Sequence, residues 1–257
     1  MKTQMAVSRL LAVVTTLLLS WSTAPAQAMD PTLAEILRIQ DESARGSSSV
    51  GTMTMRIKTA QWERTLTLKT WSQGTNKTLV RIEAPAKEKG TATLKVDGDI
   101  WNYLPKVDRT IKVPGSMMSA SWMGSHFSND DLVRESRFTD HFTCQFLQKA
   151  DPAAGRHHHV VECTPRPTAP VVWGKVQLRV RAEDKLADQV TYYDEKGALV
   201  RTMTFSGFDV VGGRKMARRM QLTVADRPNE LTEIHYDEIT FDVKHPEQTF
   251  TLQALKR

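Results

Sequence analysis

From Val50 onward, apolar and polar residues alternate with a period of two in run after run. Stretches rich in Thr, Val, Ile and aromatic residues cover 50–59, 61–72, 75–83, 91–96, 100–104 and 109–113. Others follow at 142–149, 157–163, 175–181, 187–193, 199–210, 215–224 and 231–243. Successive side chains on a strand point to opposite faces, so this alternation predicts half-buried strands. Turn residues separate the runs: Asp97-Gly98 has the composition of a type I′ hairpin, and Asp151-Pro152, Val211-Gly212-Gly213 and Asp226-Arg227-Pro228-Asn229 punctuate later connections. About a dozen strands with short links predict a mainly β fold built on one wide antiparallel sheet, because parallel pairs need long crossovers. A sheet of that width curls. One face can then be concave and apolar, which fits the alternations Met53, Met55, Ile57 and Trp62, Leu66, Leu68.

Two segments depart from the strand period. Asp30-Pro31 reads as a helix cap followed by proline in the first turn, and Leu33, Ile36 and Leu37 recur at helical spacing, predicting an amphipathic helix over 31–43. Pro114 to Phe127 keeps neither period and carries Met117, Met118, Trp122, Met123 and Phe127 among small residues. After it, Ser128 or Asn129 can cap a short helix whose first turn holds Asp130 and Asp131. Long apolar side chains on a glycine-punctuated segment suit a lid over an apolar face, since methionine adapts to varied alkyl surfaces. The same residues could equally plug the sheet's own core.

The N-terminus changes the charge and compartment. Lys2 and Arg9 precede an apolar run from Leu10 to Trp21, and Ala26-Gln27-Ala28 is a small-x-small cleavage site. This is the layout of a secretory signal peptide, cleaved after Ala28, with an uncleaved membrane anchor as the alternative. Its removal leaves a single β domain, 29–257, exported to the periplasm. It also takes two of the 35 basic residues and none of the 29 acidic ones, leaving a mildly basic chain. In an oxidising compartment Cys144 and Cys163 can pair. A hairpin turn centred near Ala153 and Ala154 sets them directly opposite one another on adjacent strands; two buried thiols are the alternative.

Chemistry-bearing motifs are sparse. There is no nucleophile elbow, phosphate-binding loop, dinucleotide fingerprint or His-Glu-x-x-His, so neither an enzyme nor a cofactor is expected. Gly124-Ser125-His126 lacks an identifiable third partner. His157, His158 and His159 alternate across a strand, so at most two could share an ion, and no metal site is assigned. Arg214, Lys215, Arg218 and Arg219 form the densest basic stretch, read either as a solvated face or as a patch for anionic lipid headgroups or an acidic partner. Transient membrane-surface contact fits the second reading. Nucleic acid is not expected outside the cell.

The block Val96-Asp97-Gly98-Asp99-Ile100-Trp101-Asn102-Tyr103-Leu104-Pro105, followed by Arg109-Thr110-Ile111 and by Met123-Gly124-Ser125-His126-Phe127-Ser128-Asn129-Asp130-Asp131-Leu132, resembles the LolA-like superfamily, in its outer-membrane lipoprotein-sorting subgroup. The resemblance implies an incomplete, half-open β-barrel closed by an N-terminal helix and a short helical lid. Its apolar cavity would carry the acyl chains of a lipoprotein or lipid between inner and outer membrane. It further implies an inner-membrane transporter of ABC or RND type as donor, an outer-membrane acceptor, and action as a monomer. On this reading Trp62, Leu66, Leu68, Val80, Ile82, Trp101 and Tyr103 line the cavity, while Met117, Met118, Trp122, Met123 and Phe127 form the lid. One departure stands out: carriers of this type place a lid-latching Arg after a Trp-containing strand, and here that stretch is Trp71-Ser72-Gln73-Gly74. A similar fold resembles a periplasmic regulator of the envelope-stress response, which carries a further C-terminal domain. That makes a sensor module the second expectation, and a non-carrier accessory subunit of an exporter the third.

Overall fold

The computed structural model describes residues 29–42, 46–133, 137–169 and 171–256. Residues 1–28, where the export signal is expected, lie outside them. Helix α1 (Pro31–Glu42) opens the described chain, and Asp30 Oδ1 accepts the Thr32 amide at 2.9 Å as its cap. Six strands follow: β1 (Ser48–Lys58), β2 (Glu63–Gln73), β3 (Lys77–Ala84), β4 (Ala92–Val96), β5 (Asp99–Leu104) and β6 (Arg109–Lys112). A long connection carrying the short helices α2 (Asn129–Val133) and α3 (Phe138–His141) leads to β7 (Phe142–Gln148). Then come β8 (His158–Pro165), β9 (Lys175–Arg181), β10 (Ala187–Tyr193), β11 (Leu199–Val211), β12 (Arg214–Val224) and β13 (Arg227–Phe241).

All 13 strands join one curved, unclosed antiparallel sheet in the order β6-β5-β4-β3-β2-β1-β13-β12-β11-β10-β9-β8-β7. Two meanders run outward from the centre, where the first strand meets the last: Met55 faces Ile234 and Ile57 faces Thr232. The edges are therefore β6 and β7, which are consecutive in sequence. The chain between them has to pass from one edge to the other, and it does so over one face, called inner below.

The alternation explains what that face holds. One cross-strand row runs Leu66, Met55, Ile234, Met220, Phe205, and a second runs Ile57, Thr232, Leu222, Met203, Val190, Leu178, Val161. At the β7–β10 end α1 covers this face, burying Leu33, Ile36 and Leu37 against Phe142, Val161 and Leu178. Cys144 and Cys163 are opposite one another and joined by a disulfide, with Cα atoms 4.1 Å apart. The outer face is covered near β3 and β4 by the C-terminal segment, whose Phe250, Ala254 and Leu255 pack on Leu79, Ala92 and Leu94. The Asp97-Gly98 turn has both residues at positive φ, 50° and 89°, as a type I′ hairpin requires.

Candidate functional site

The connection from β6 to β7 folds into a tight structure of its own. Trp122 donates its amide to Phe127 O at 2.7 Å and Ser125 donates to Trp122 O at 2.9 Å, so residues 122–125 form a turn. Met123 and Gly124 lie at φ 50° and 71°, the left-handed pair of a type I′ turn, where glycine carries no penalty and methionine is held against its preference. Trp122 and Phe127 flank the turn and point into the sheet, 4% and 9% exposed, against Met55, Leu66, Leu68 and Ile82. Buried Trp122 Nε1 donates to Thr93 Oγ1 at 3.1 Å, so its one polar atom is satisfied.

Helix α2 starts with a reciprocal cap: Ser128 Oγ accepts the Asp131 amide at 3.1 Å while Asp131 Oδ2 accepts the Ser128 amide at 2.8 Å. Asp131 also receives both arms of Arg201 on β11, Nη2 to Oδ1 at 2.7 Å and Nη1 to Oδ2 at 2.8 Å. Burial alone would raise the Asp131 carboxyl, but the Arg201 guanidinium and the Ser128 donors hold it below its ordinary value. Arg201 is 8% exposed and lies over the rings of Trp173 and Tyr192, at 4.4 and 4.6 Å from their centroids. Further along the segment, Arg64 Nη2 donates to Met123 O, and His126 bonds Thr232 Oγ1 at 2.9 Å and Glu230 Oε2 at 3.1 Å.

Between this covering segment and the sheet lies a cavity of about 390 Å³. Its walls include Met53, Val80 and Trp122 on one side and Tyr192, Met203 and Met220 on the other. A second, of about 190 Å³, continues beside α1 and shares Phe138, Tyr192, Met220 and Tyr236 with the first. On the solvent side of α2 an outer vestibule of about 430 Å³ is lined by Met118, Ser128, Val172, Val224 and Arg227 among others. Asp131, Trp173 and Arg201 line both the first cavity and the vestibule, so the ion pair stands in the partition between them.

The structure distributes the sequence-predicted residues unevenly. Val80, Trp122 and Phe127 line the main cavity, and Leu66, Leu68 and Ile82 form the fully buried floor under Trp122. Met118 faces the vestibule, Met123 packs on the floor, and Met117 is 52% exposed. Trp62 sits in the turn before β2, 43% exposed at the rim beside Arg64 and Gly124. Trp101 and Tyr103 do not reach the cavity walls: they pair with Leu94 and Ala92 and pack with the C-terminal segment on the outer face. On β5 the inward positions are Ile100 and Asn102, one residue out of register with the expectation.

Sequence reasoning passed over the far wall. Met203, Met220, Tyr192 and Tyr236 come from strands that begin 55 or more residues beyond Leu132, where the block that prompted the assignment ends, and the clue was methionine at inward positions of several strands. The arginines that bind the covering segment, Arg201 and Arg64, are separated from it by long stretches of chain and carry no local motif. Ser125 and His126 diverge, Ser125 Oγ donating to Trp122 O at 2.7 Å. His158 pairs with Asp188 at 2.9 Å while His159 accepts the Ala150 amide at 3.1 Å. In the basic stretch Arg214, Lys215, Arg218 and Arg219 each face a carboxylate, at 3.1, 2.9, 3.2 and 3.8 Å. That segment is balanced in charge rather than a free cationic patch.

Comparison with known proteins agrees with this architecture. No curated protein sequence matches the chain. A DUF1329 family protein from Desulfovibrio piger superposes with a TM-score of 0.75 at 24% identity, covering 88% of this chain and 100% of its own. A domain named for outer membrane lipoprotein sorting, from Vibrio parahaemolyticus, gives 0.72 at 26% identity over 88% and 97%. A LolA superfamily protein from Nitrosomonas europaea gives 0.68 at 23% identity over 86% and 98%. A family model described as "Uncharacterized protein" matches residues 74–257, more than half of the chain. The chain belongs to that family, and its fold is the one seen in the LolA superfamily protein.

Proposed function

We propose that this protein is a periplasmic carrier, a binding protein rather than an enzyme, that holds the acyl chain of a lipoprotein or lipid under the β6–β7 connection and moves it between membranes. The observation that carries the reading is the largely apolar cavity of about 390 Å³ roofed by Trp122 and Phe127. That volume falls within the range of about 300–1,000 Å³ usual for small-ligand sites. An acyl chain taken from a bilayer into water loses about 0.8 kcal/mol per CH₂, so crossing an aqueous compartment requires a wall of this kind. Methionines at 53, 203 and 220 give that wall a shape that can follow an alkyl chain.

Loading requires an opening, and the roof supplies one. Besides the buried Trp122 and Phe127, polar contacts tie the connection down: Arg201 to Asp131, Arg64 to Met123 O, His126 to Thr232. Contacts of this kind can be replaced by water or by the polar groups of a ligand, and the buried Arg201–Asp131 pair is the one that most needs such a replacement. The roof is thus a lid, and an inner-membrane exporter of ABC or RND type is the expected donor. Native mass spectrometry of protein purified from the periplasm tests the carrier reading: co-purifying lipid or acylated peptide is expected, and a clean apo mass with no binding of any acyl probe overturns it. Trp122→Asp is expected to weaken acyl binding at least tenfold with the β-sheet circular dichroism unchanged.

A further inference from the structure

Arg201 is an unusual group to find in the wall of an acyl cavity. Its guanidinium is nine-tenths buried, its Nε has no hydrogen-bond partner, and among the described residues Asp131 is its sole ion-pair partner. Asp131 rides on the lid. The rings of Trp173 and Tyr192 belong to the sheet side, so they keep the guanidinium in place whether the lid is open or shut. Opening the lid therefore strips a buried cation of its counter-ion while leaving it at the mouth of the cavity, a state that is strongly unfavourable unless another anion arrives. The vestibule on the other side of the same group adds Ser119, Ser128 and Arg227, the last held to Glu230 and Asp226 only at 3.5 Å.

We propose that Arg201 is the headgroup site of the carrier, taking the anionic group of an acyl lipid, a carboxylate or a phosphate, in exchange for Asp131, with the acyl chain in the 390 Å³ cavity behind it. This rests on the carrier reading and narrows its cargo: it favours an acidic lipid over the uncharged diacylglyceryl group of a lipoprotein. A planar guanidinium offers a fork that matches either anion in two-pronged fashion, and its unused Nε donor supplies a third hydrogen bond that Asp131 does not take. Exchange also couples cargo to gating. An anion that occupies Arg201 releases the Asp131 end of the lid, and departure of the cargo restores the ion pair that shuts it.

The test uses the mature protein, delipidated, with three probes of the same chain length below their micellar concentrations: palmitate, palmitoyl-lysophosphatidylglycerol and uncharged monopalmitoylglycerol. Dissociation constants are read by tryptophan fluorescence and calorimetry. At least one anionic probe is expected to bind tenfold or more tightly than monopalmitoylglycerol, and which one does so tells carboxylate from phosphate. Arg201→Met is expected to bring all three probes to the affinity of the uncharged one. Asp131→Asn, which keeps the lid's cap but removes the competing charge, is expected to widen the preference for the anionic probe. Equal affinity for charged and uncharged probes in the wild type, a preference that survives Arg201→Met, or a preference unchanged in Asp131→Asn overturns the headgroup site while the carrier reading stands. Binding of none of the three overturns both.

Discussion

The sheet has a cover on each face, and the two are built differently. On the outer face the C-terminal segment lays Phe250, Ala254 and Leu255 onto Leu79, Ala92 and Leu94, with Leu255 fully buried. Its buried contact is apolar, with polar ties around it: Arg81 reaches Ala254 O at 2.6 Å, His245 bonds Ser72 O at 2.9 Å, and exposed Lys256 pairs with Asp108 at 2.8 Å. On the inner face the lid inserts Trp122 and Phe127 but is bounded by an ion pair, an arginine-to-carbonyl bond and a histidine pair, and it roofs a cavity. A cover that stays shut is stabilised by apolar area, which is lost whole when it lifts. The inner cover, which the carrier reading requires to lift, adds to its apolar insertion polar contacts that water or a ligand can replace.

The largest expected effect breaks the outer cover. Phe250→Ala removes a ring buried against the sheet and should cost about 3–5 kcal/mol of global stability in denaturant unfolding. If it costs less than about 1 kcal/mol, the contrast between the covers fails. Next is Asp131→Ala, which leaves Arg201 buried and unpaired. Because Arg201 also lines the solvent-side vestibule, water can reach it, and the cost is on the order of 1–3 kcal/mol. The expected signature is faster amide exchange at Trp122 and Phe127 with little change at Leu79 or Leu94. Acid sharpens the same point. The Asp131 carboxyl is depressed in the folded state, so its stabilisation is complete above its ordinary value of 3.8 and is lost as pH falls through the lower folded value. Lid-amide exchange should therefore be unaffected by loss of this ion pair from pH 8 to 5 and rise only in strong acid. The smallest effect belongs to the exposed Lys256–Asp108 pair beside the outer cover: Lys256→Ala should leave the melting temperature unchanged.

Much of this was legible along the chain. The strand runs matched the observed strands to within a few residues, and β9 and β10 agree at both ends, because alternation is a local consequence of having one buried face. The Cys144–Cys163 pairing followed from the position of one turn, since an antiparallel hairpin sets its own register. The helix of 31–43 and the capped start at Ser128 were likewise local signals, the former ending at Glu42 within the described residues. Trp101 and Tyr103 show where this reasoning slips. Both faces of β5 carry large apolar residues because both are covered, and alternation says which residues share a face without saying which face is inner.

What the sequence by itself determined is therefore the set of strands, their hairpin partners and the apolar cast of the lid, all of which depend on neighbours a few residues apart. The tertiary structure alone decided the pairing of β1 with β13, which turns two meanders into one sheet and makes β6 and β7 its edges. That pairing sends the connecting segment over the inner face and creates the cavity. It also brings Asp131 to Arg201, 70 positions further on, and no local pattern marks that contact. A buried ion pair is selected by the geometry of two surfaces that meet only when the chain is folded, and here those surfaces are the lid and the wall it closes against.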